Sequence, residues 1–303
     1  MLFTEPYAGP TPIVQVIASA RREVSLNVYY LSSRPILNAL RAAHARGVAV
    51  RVILDEHPYG IKPWMIQKEV RAVQATGAAL QWAPPRFEAA PGRYVFDHAK
   101  YVCDTHECEI GTSNFDWSAF RKNREYLYVT QNPSVVQAAN AVFNADWNNQ
   151  KAPAFAHRVL VLSPGLHPAR GTSAAQLLEV IDQPGPIDVE SEELGPYAVI
   201  LDALAAKGRD LRLILPANIN HVDQRDVAFL RQHGCQVRLM PVKPIYQHSK
   251  MIVGGSLAFI GSENFTQTSL KDNREMGLLL NGSSIGKLQA QFNRDWARAG
   301  RHG

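Results

Sequence analysis

A chain of 303 residues is longer than most single hydrophobic cores, so two domains or two fused halves are expected. Hydrophobic residues at 46% and charged residues at 19% exclude a disordered chain, and there is no run of about 18 apolar residues to span a membrane. The net charge of +5 suits an anionic partner such as nucleic acid or phospholipid headgroups, although general solubility accounts for it equally well.

The opening MLFTEPYAGP lacks the basic and apolar blocks of a signal peptide. A cleaved leader replaced by a starting Met would look the same, so the compartment, cytoplasmic or exported, stays open. Residues 13–21 read as a helix, 24–30 as a strand, and 35–45 as an amphipathic helix ended by Gly47. A buried strand over 48–54, a helix over 66–76 and a short strand over 80–82 follow. Residues 98–103 and 109–111 read as a strand pair, 125–130 as a further strand, and 135–147 as a closing helix. Between the paired strands, CDTHEC gathers Cys103, His106 and Cys108 without a second ligand cluster, so neither a metal nor a cofactor is expected. Its four inner residues read as a hairpin turn that sets the cysteines opposite each other, able to pair in an oxidising compartment.

The polar stretch NNQKAPAFAHR, residues 148–158, breaks the periodicity and divides the chain into halves 1–150 and 151–303. The same order then resumes from Val159. His98 onward aligns with His248 onward without a gap, at an offset of 248 − 98 = 150. Lys100 matches Lys250, Gly111 matches Gly261, Asn114 matches Asn264, and Asn123-Arg124-Glu125 matches Asn273-Arg274-Glu275. Farther on, Phe143-Asn144-Ala145-Asp146-Trp147 matches Phe292-Asn293-Arg294-Asp295-Trp296. The expected fold is α/β: two duplicated halves, each a mixed β-sheet flanked by helices, related by a pseudo-twofold axis.

Residues two apart on a strand face the same way, so His98 projects with Lys100 and His248 with Lys250. A lone histidine is usually structural, and a lysine is rarely demanded by a core. Recurrence of His, Lys and Asn at equal spacing argues for chemistry. Converging at the seam, two imidazoles, two ammonium groups and two amides would enclose a volume suited to a phosphodiester. Lys100, Lys250, Asn114 and Asn264 would stabilise its oxygens, while one histidine attacks phosphorus and the other protonates the leaving oxygen. Glu125 and Glu275 each follow a histidine by 27 residues, which makes them the natural carboxylates to fix the tautomers.

HAK…GTSN…NRE and HSK…GSEN…NRE resemble the paired motifs of the phospholipase D superfamily, and the likeness extends over nearly the whole chain. That resemblance implies a metal-independent, two-step phosphodiesterase with His98 as nucleophile and His248 as acid. Two departures stand out. The motif's aspartate is displaced to Asp104 in the first half, and Gly254 stands at its place in the second. In the family this aspartate is mainly structural, so its loss bears on the hairpins before the chemistry. Thr112 and Ser262, with Tyr29, Tyr30 and Glu190 at strand ends, are expected to contact substrate, and Glu192 to help shape the pocket. Tyr59, Ile61, Trp64, Trp82 and Tyr94 read as apolar loop residues around the cleft. The leading expectation is phospholipid hydrolysis of the phospholipase D type, by a monomer holding both half-sites and touching membrane surfaces transiently. A nuclease acting on DNA or RNA is the first alternative, and a catalytically impaired binding protein the second.

Overall fold

The computed structural model describes residues 1–165 and 172–300. The first half runs β1 (Leu2–Glu5), α1 (Thr11–Ser19), β2 (Glu23–Val28), α2 (Arg34–Ala45), β3 (Ala49–Leu54), α3 (Pro63–Gln74), β4 (Ala79–Trp82), β5 (Lys100–Cys103), β6 (Cys108–Gly111), α4 (Trp117–Arg121), β7 (Asn123–Thr130) and α5 (Pro133–Trp147). The second runs α6 (Ala156–Val159), β8 (Val161–Ser163), α7 (Ser173–Ile181), β9 (Ile187–Glu190), α8 (Ala198–Ala206), β10 (Leu211–Pro216), α9 (His221–Gln232), β11 (Gln236–Met240), β12 (Tyr246–Gln247), β13 (Met251–Val253), β14 (Ala258–Gly261), α10 (Gln267–Lys271), β15 (Glu275–Leu280) and α11 (Ser283–Arg298). Strand order is β1-β7-β6-β5-β2-β3-β4 in one sheet and, read from the corresponding edge, β8-β15-β14-β13-β9-β10-β11 in the other. The two orders correspond strand for strand, so the sequence repeat is a repeat of topology.

β2, β3 and β4 run parallel, as do β9, β10 and β11; the hairpin strands beside them run antiparallel. β3 is a nearly continuous apolar run, whereas β2 alternates, with Val24, Leu26 and Val28 on one face and Ser25 and Asn27 on the other, yet it is buried over almost its whole length. Ile13, Val16 and Ile17 of α1 and Ile36, Leu37 and Leu40 of α2 pack with Val24, Leu26 and Val52 in one outer core. Leu177 and Val180 of α7 with Ile200 and Leu204 of α8 build the equivalent core on the second sheet. A third core draws on both halves: Tyr101, Ile110, Tyr126 and Phe143 meet Met251, Ile260, Met276 and Phe292. This shared core is the seam.

Several boundaries differ from expectation for local reasons. The third helix starts at Pro63 rather than residue 66, since Pro suits a first turn, and ends before Gly77 at φ +86°. That positive φ strains other residues and favours glycine, and a Cβ on Gly77 would also displace the exposed His44 ring, 2.2 Å away at Cδ2. β1 was not anticipated. It is four residues at a sheet edge, held by antiparallel pairing with β7, and too short to show a period. Trp82 packs with the outer core of the first sheet instead of lining the cleft.

The seam is fastened by exchanged ion pairs. Arg124 grips Asp295 through Nε (2.6 Å) and Nη2 (2.9 Å), and Arg274 grips Asp146 through the same atoms (2.8 and 3.0 Å). Each arginine lies at the start of a half's hairpin-closing strand, Arg124 within β7 and Arg274 just before β15, and each aspartate lies on the other half's last helix. All four side chains are essentially buried. Asp146 also meets Arg86 (2.9 Å) and Asp295 the more exposed Arg298 (3.4 Å), so removing Arg124 or Arg274 leaves its aspartate only partly compensated in a dry seam, at a cost of up to about 3–5 kcal/mol. Arg124→Met should therefore lower unfolding free energy by about that amount, and the double change Arg124→Met with Asp295→Leu by clearly less. Urea denaturation of both checks this; equal losses would remove the pair from that role.

Candidate active site

Each histidine is delivered by a strand exchange across the seam. The chain before His98 runs beside the start of the other half's β15: Asp97 bridges Arg274 in parallel, and His98 N–H donates to Arg274 O (2.8 Å). Symmetrically, β12 pairs in parallel with β7, Tyr246 opposite Asn123 and Gln247 opposite Arg124. A glutamate follows each arginine directly, so the exchange sets each imidazole against a carboxylate of the other half. His98 Nδ1 lies 2.9 Å from Glu275 Oε2, and His248 Nδ1 lies 2.7 Å from Glu125 Oε1. Equal spacing along the chain had marked both glutamates without deciding which histidine each would meet; the partners are crossed.

Both imidazoles line one cleft of about 480 Å³ between the halves, with side chains 12% and 11% exposed. Burial pushes the His98 imidazole down to about 4, helped by Lys100 and Lys250 and opposed by Glu275. At neutral pH it is uncharged. Its Nδ1–H donates to the carboxylate, which leaves Nε2 as the lone-pair nitrogen. Burial likewise pushes Lys100 down to about 7, with Lys250 adding to the fall and Glu275 opposing it. The glutamates are braced from behind. Thr112 Oγ1 donates to Glu125 Oε2 (2.6 Å) and Ser269 Oγ to Glu275 Oε1 (2.6 Å), while Asn123 and Asn273 each donate to their own glutamate at 3.1 Å.

The remaining expected residues divide into those at the cleft and those behind it. Asn114 and Asn264 line it, and each leaves a buried Oδ1 without a partner. Lys100 and Lys250 are fully buried just beneath, each donating to its own histidine's carbonyl at 2.6 Å. Tyr29 and Tyr30 line the cleft, with the Tyr29 ring edge-on to His98 at 4.8 Å. Three expected substrate contacts are corrected. Thr112 is buried behind Glu125, and Ser262 is buried with its hydroxyl accepting from Met276 N–H (3.0 Å). Glu190 is buried beneath Tyr126 and Ser249, whose hydroxyls donate to it at 2.9 and 2.8 Å. Glu190 ends β9, and Thr112 and Ser262 directly follow β6 and β14, with all three side chains turned inward. Sequence reasoning gave no role to Ser269, Asn123 or Asn273; the matched Asn-Arg-Glu triplets were the available signal for the two asparagines.

The missing motif aspartate is replaced in space. Asp104 Oδ1 accepts the N–H groups of His106 and Glu107, both at 2.6 Å, and so closes the first hairpin. In the second hairpin Gln183 does this work from beyond α7: its Oε1 accepts from Ser256 N–H (2.8 Å) and Leu257 N–H (3.0 Å). Cys103 and Cys108 face each other in the first hairpin and form a disulfide. Among the described residues, Glu56, His57 and Glu88 could each bring one ligand atom to a common point, but both Glu88 oxygens already accept from Glu56 N–H.

Residues 13–147 and 192–296 match the family model described as cardiolipin synthase, phospholipase D-like domain. Among curated proteins, the chain is 27% identical over 135 residues to a cardiolipin synthase of Clostridium perfringens, covering 44% of this chain and 26% of that protein. It is 29% identical over 136 residues to a mitochondrial cardiolipin hydrolase of Xenopus laevis, covering 45% and 59%. The chain thus spans about a quarter of the cardiolipin synthase that it matches. Among solved structures, a polyphosphate kinase of Porphyromonas gingivalis superposes with a TM-score of 0.70 at 15% identity, over 98% of this chain and 50% of that one. A phosphatidylserine synthase of Haemophilus influenzae superposes with a TM-score of 0.68 at 11% identity, over 99% and 88%. At such identities these two show a common fold.

The crossed partners have a direct spectroscopic consequence. In ¹⁵N-edited histidine spectra, Glu125→Gln should move the Nδ1 resonance of His248 and leave His98 nearly unchanged, with Glu275→Gln doing the reverse. The opposite pattern would refute the exchange.

Proposed function

From the premise that the chain belongs to the phospholipase D-like family, we propose that it is a metal-independent phosphodiesterase that hydrolyses phospholipids through a phosphohistidine. One observation carries the reading: two imidazoles share a cleft, each with Nδ1 on a buried carboxylate, with two lysines and two asparagines alongside. Nε2 of His98 attacks phosphorus while the bond to the headgroup oxygen breaks, and His248 gives that oxygen its proton. Water, losing its proton to His248, then attacks phosphorus and breaks the P–N bond. Lys100 and Lys250 offset the charge on the non-bridging oxygens, and the two asparagine amides orient them. We also take 1–150 and 151–303 as halves of one catalytic unit, since each imidazole borrows its carboxylate from the other.

Two features favour lipid over nucleic acid. The sequence relatives named above are cardiolipin enzymes. In addition, Tyr59, Tyr94 and Trp117 line the cleft yet are 60–72% exposed, an apolar rim of the kind that seats in a membrane interface. The proposed membrane contact is through this rim; no described helix is long and apolar enough to cross a membrane.

Phospholipid vesicles should release headgroup, and EDTA should leave the rate unchanged. Cleavage of single-stranded DNA or RNA instead, falling steeply with salt, would move the substrate to nucleic acid. No turnover of vesicles, nucleic acid or bis-p-nitrophenyl phosphate would mark a binding protein. His98→Asn should abolish any trapped phospho-enzyme; trapping one in that variant would shift the nucleophile to His248. The acid limb of kcat/KM should lie near pH 4 rather than 6.5, because His98 must lose its proton to attack. The rate should fall again above about pH 7 as Lys100 discharges.

A further inference from the structure

The two halves differ at several positions lining the cleft, and at one of them a carboxylate touches the second His-x-Lys pair. Sheet register makes the correspondence explicit. Asn27 pairs with Tyr101 and Glu190 with Met251, so Tyr29 and Glu192 occupy equivalent places, each two residues after the paired one. A second contact agrees: Phe115 N–H donates to Tyr30 O, and Phe265 N–H to Glu193 O. In the first half, Tyr29 lays its ring against the pair, 4.8 Å from the His98 ring centre and 5.3 Å from Lys100 Nζ. In the second half, the same place carries a carboxylate. Glu192 Oε2 lies 2.8 Å from Lys250 Nζ and 3.3 Å from His248 Nε2, while Oε1 lies 3.5 Å from the Tyr246 hydroxyl.

A phosphoryl oxygen held jointly by a motif's lysine and its imidazole Nε2 would have to take the place that Glu192 Oε2 holds. We propose that Glu192 is a tethered anion filling one oxygen position of the phosphoryl subsite, and that displacing it sets which anions the cleft accepts. This rests on the phosphodiesterase reading above. Its consequence is selectivity. A free phosphate or other small anion gains only the contacts that Glu192 already makes, so it competes poorly. A larger diester brings contacts with the rim and with Tyr29, and these offset the displacement. Burial alone would raise Glu192, but His248 and Lys250 hold it down at about 2, so mild acid does not open the position by protonation. The counterpart Tyr29 carries no such charge, which makes the two lysines unequal: Lys100 meets an incoming anion first and Lys250 only after exchange.

Calorimetric titration of inorganic phosphate into the full chain tests this without relying on turnover. Glu192→Gln keeps the shape and removes the charge, and should bind phosphate at least tenfold more tightly than the unaltered protein. Glu192→Tyr, which copies the first half, should do the same, and it covers the case where the glutamine variant fails to fold. Measurable binding in either variant where the unaltered protein shows none also supports the proposal. Equal or weaker phosphate binding in both folded variants overturns it. Lys250→Met separates the two readings. If it weakens phosphate binding while the Glu192 variants do not tighten it, the subsite stands and the tethered anion falls. If Lys250→Met has no effect on phosphate bound by the Glu192→Gln background, the cleft is no phosphoryl site and both fall.

Discussion

The exchange of charged partners across the seam is the constraint on which the rest depends. Arg124 with Asp295, Arg274 with Asp146, His98 with Glu275 and His248 with Glu125 each join one half to the other. Docked in any other register, the two halves would cover their apolar sheet faces but bury a histidine, an arginine and two acids from each without their partners. Such groups are costly to leave unpaired in a low-dielectric interior. The pairs therefore specify how the sheets meet, while the apolar residues between them supply most of the driving force. Both kinds of pair follow from one short backbone exchange, in which the segment before each His-x-Lys runs beside the strand that opens with Asn-Arg-Glu.

Duplication made the scaffold symmetric, and single residues then made it unequal. At one hairpin the turn is closed by Asp104 from within, at the other by Gln183 from a neighbouring segment. The same hydrogen-bond requirement is met from two places in the chain, because an unpaired backbone N–H in a tight turn must find an acceptor somewhere. In the cleft, Tyr29 and Glu192 occupy equivalent positions with different charge. Strand pairing on either side of each His-x-Lys places the two imidazoles and leaves the loop residues after β2 and β9 free to differ.

The pairs of conserved-looking repeats carried most of what was legible. Gly111 and Gly261 illustrate why: a Cβ on Gly111 would lie 2.4 Å from Tyr126 O, and one on Gly261 would lie 2.6 Å from Gly277 Cα. A steric demand that local leaves the same mark in both copies. By contrast, Thr112 and Ser262 also recur as small hydroxyl residues, yet face inward, one bracing Glu125 and the other a backbone N–H. Recurrence reports that a residue type is needed, and it is silent on which side of the strand needs it. β1 escaped notice because four residues at an edge carry no periodicity, and Gln183 because its service to the second hairpin spans more than 70 positions of sequence.

Residue order was sufficient for the α/β class, the duplication, and the histidine, lysine, asparagine and glutamate sets, since each depends on spacing that repeats within one chain. It could not decide which glutamate meets which histidine, that Glu190 is buried, or that Glu192 sits against Lys250. Those are contacts between segments distant in sequence. They are set by how two sheets dock, and docking minimises the free energy of the whole seam, a quantity that no local pattern of side chains encodes.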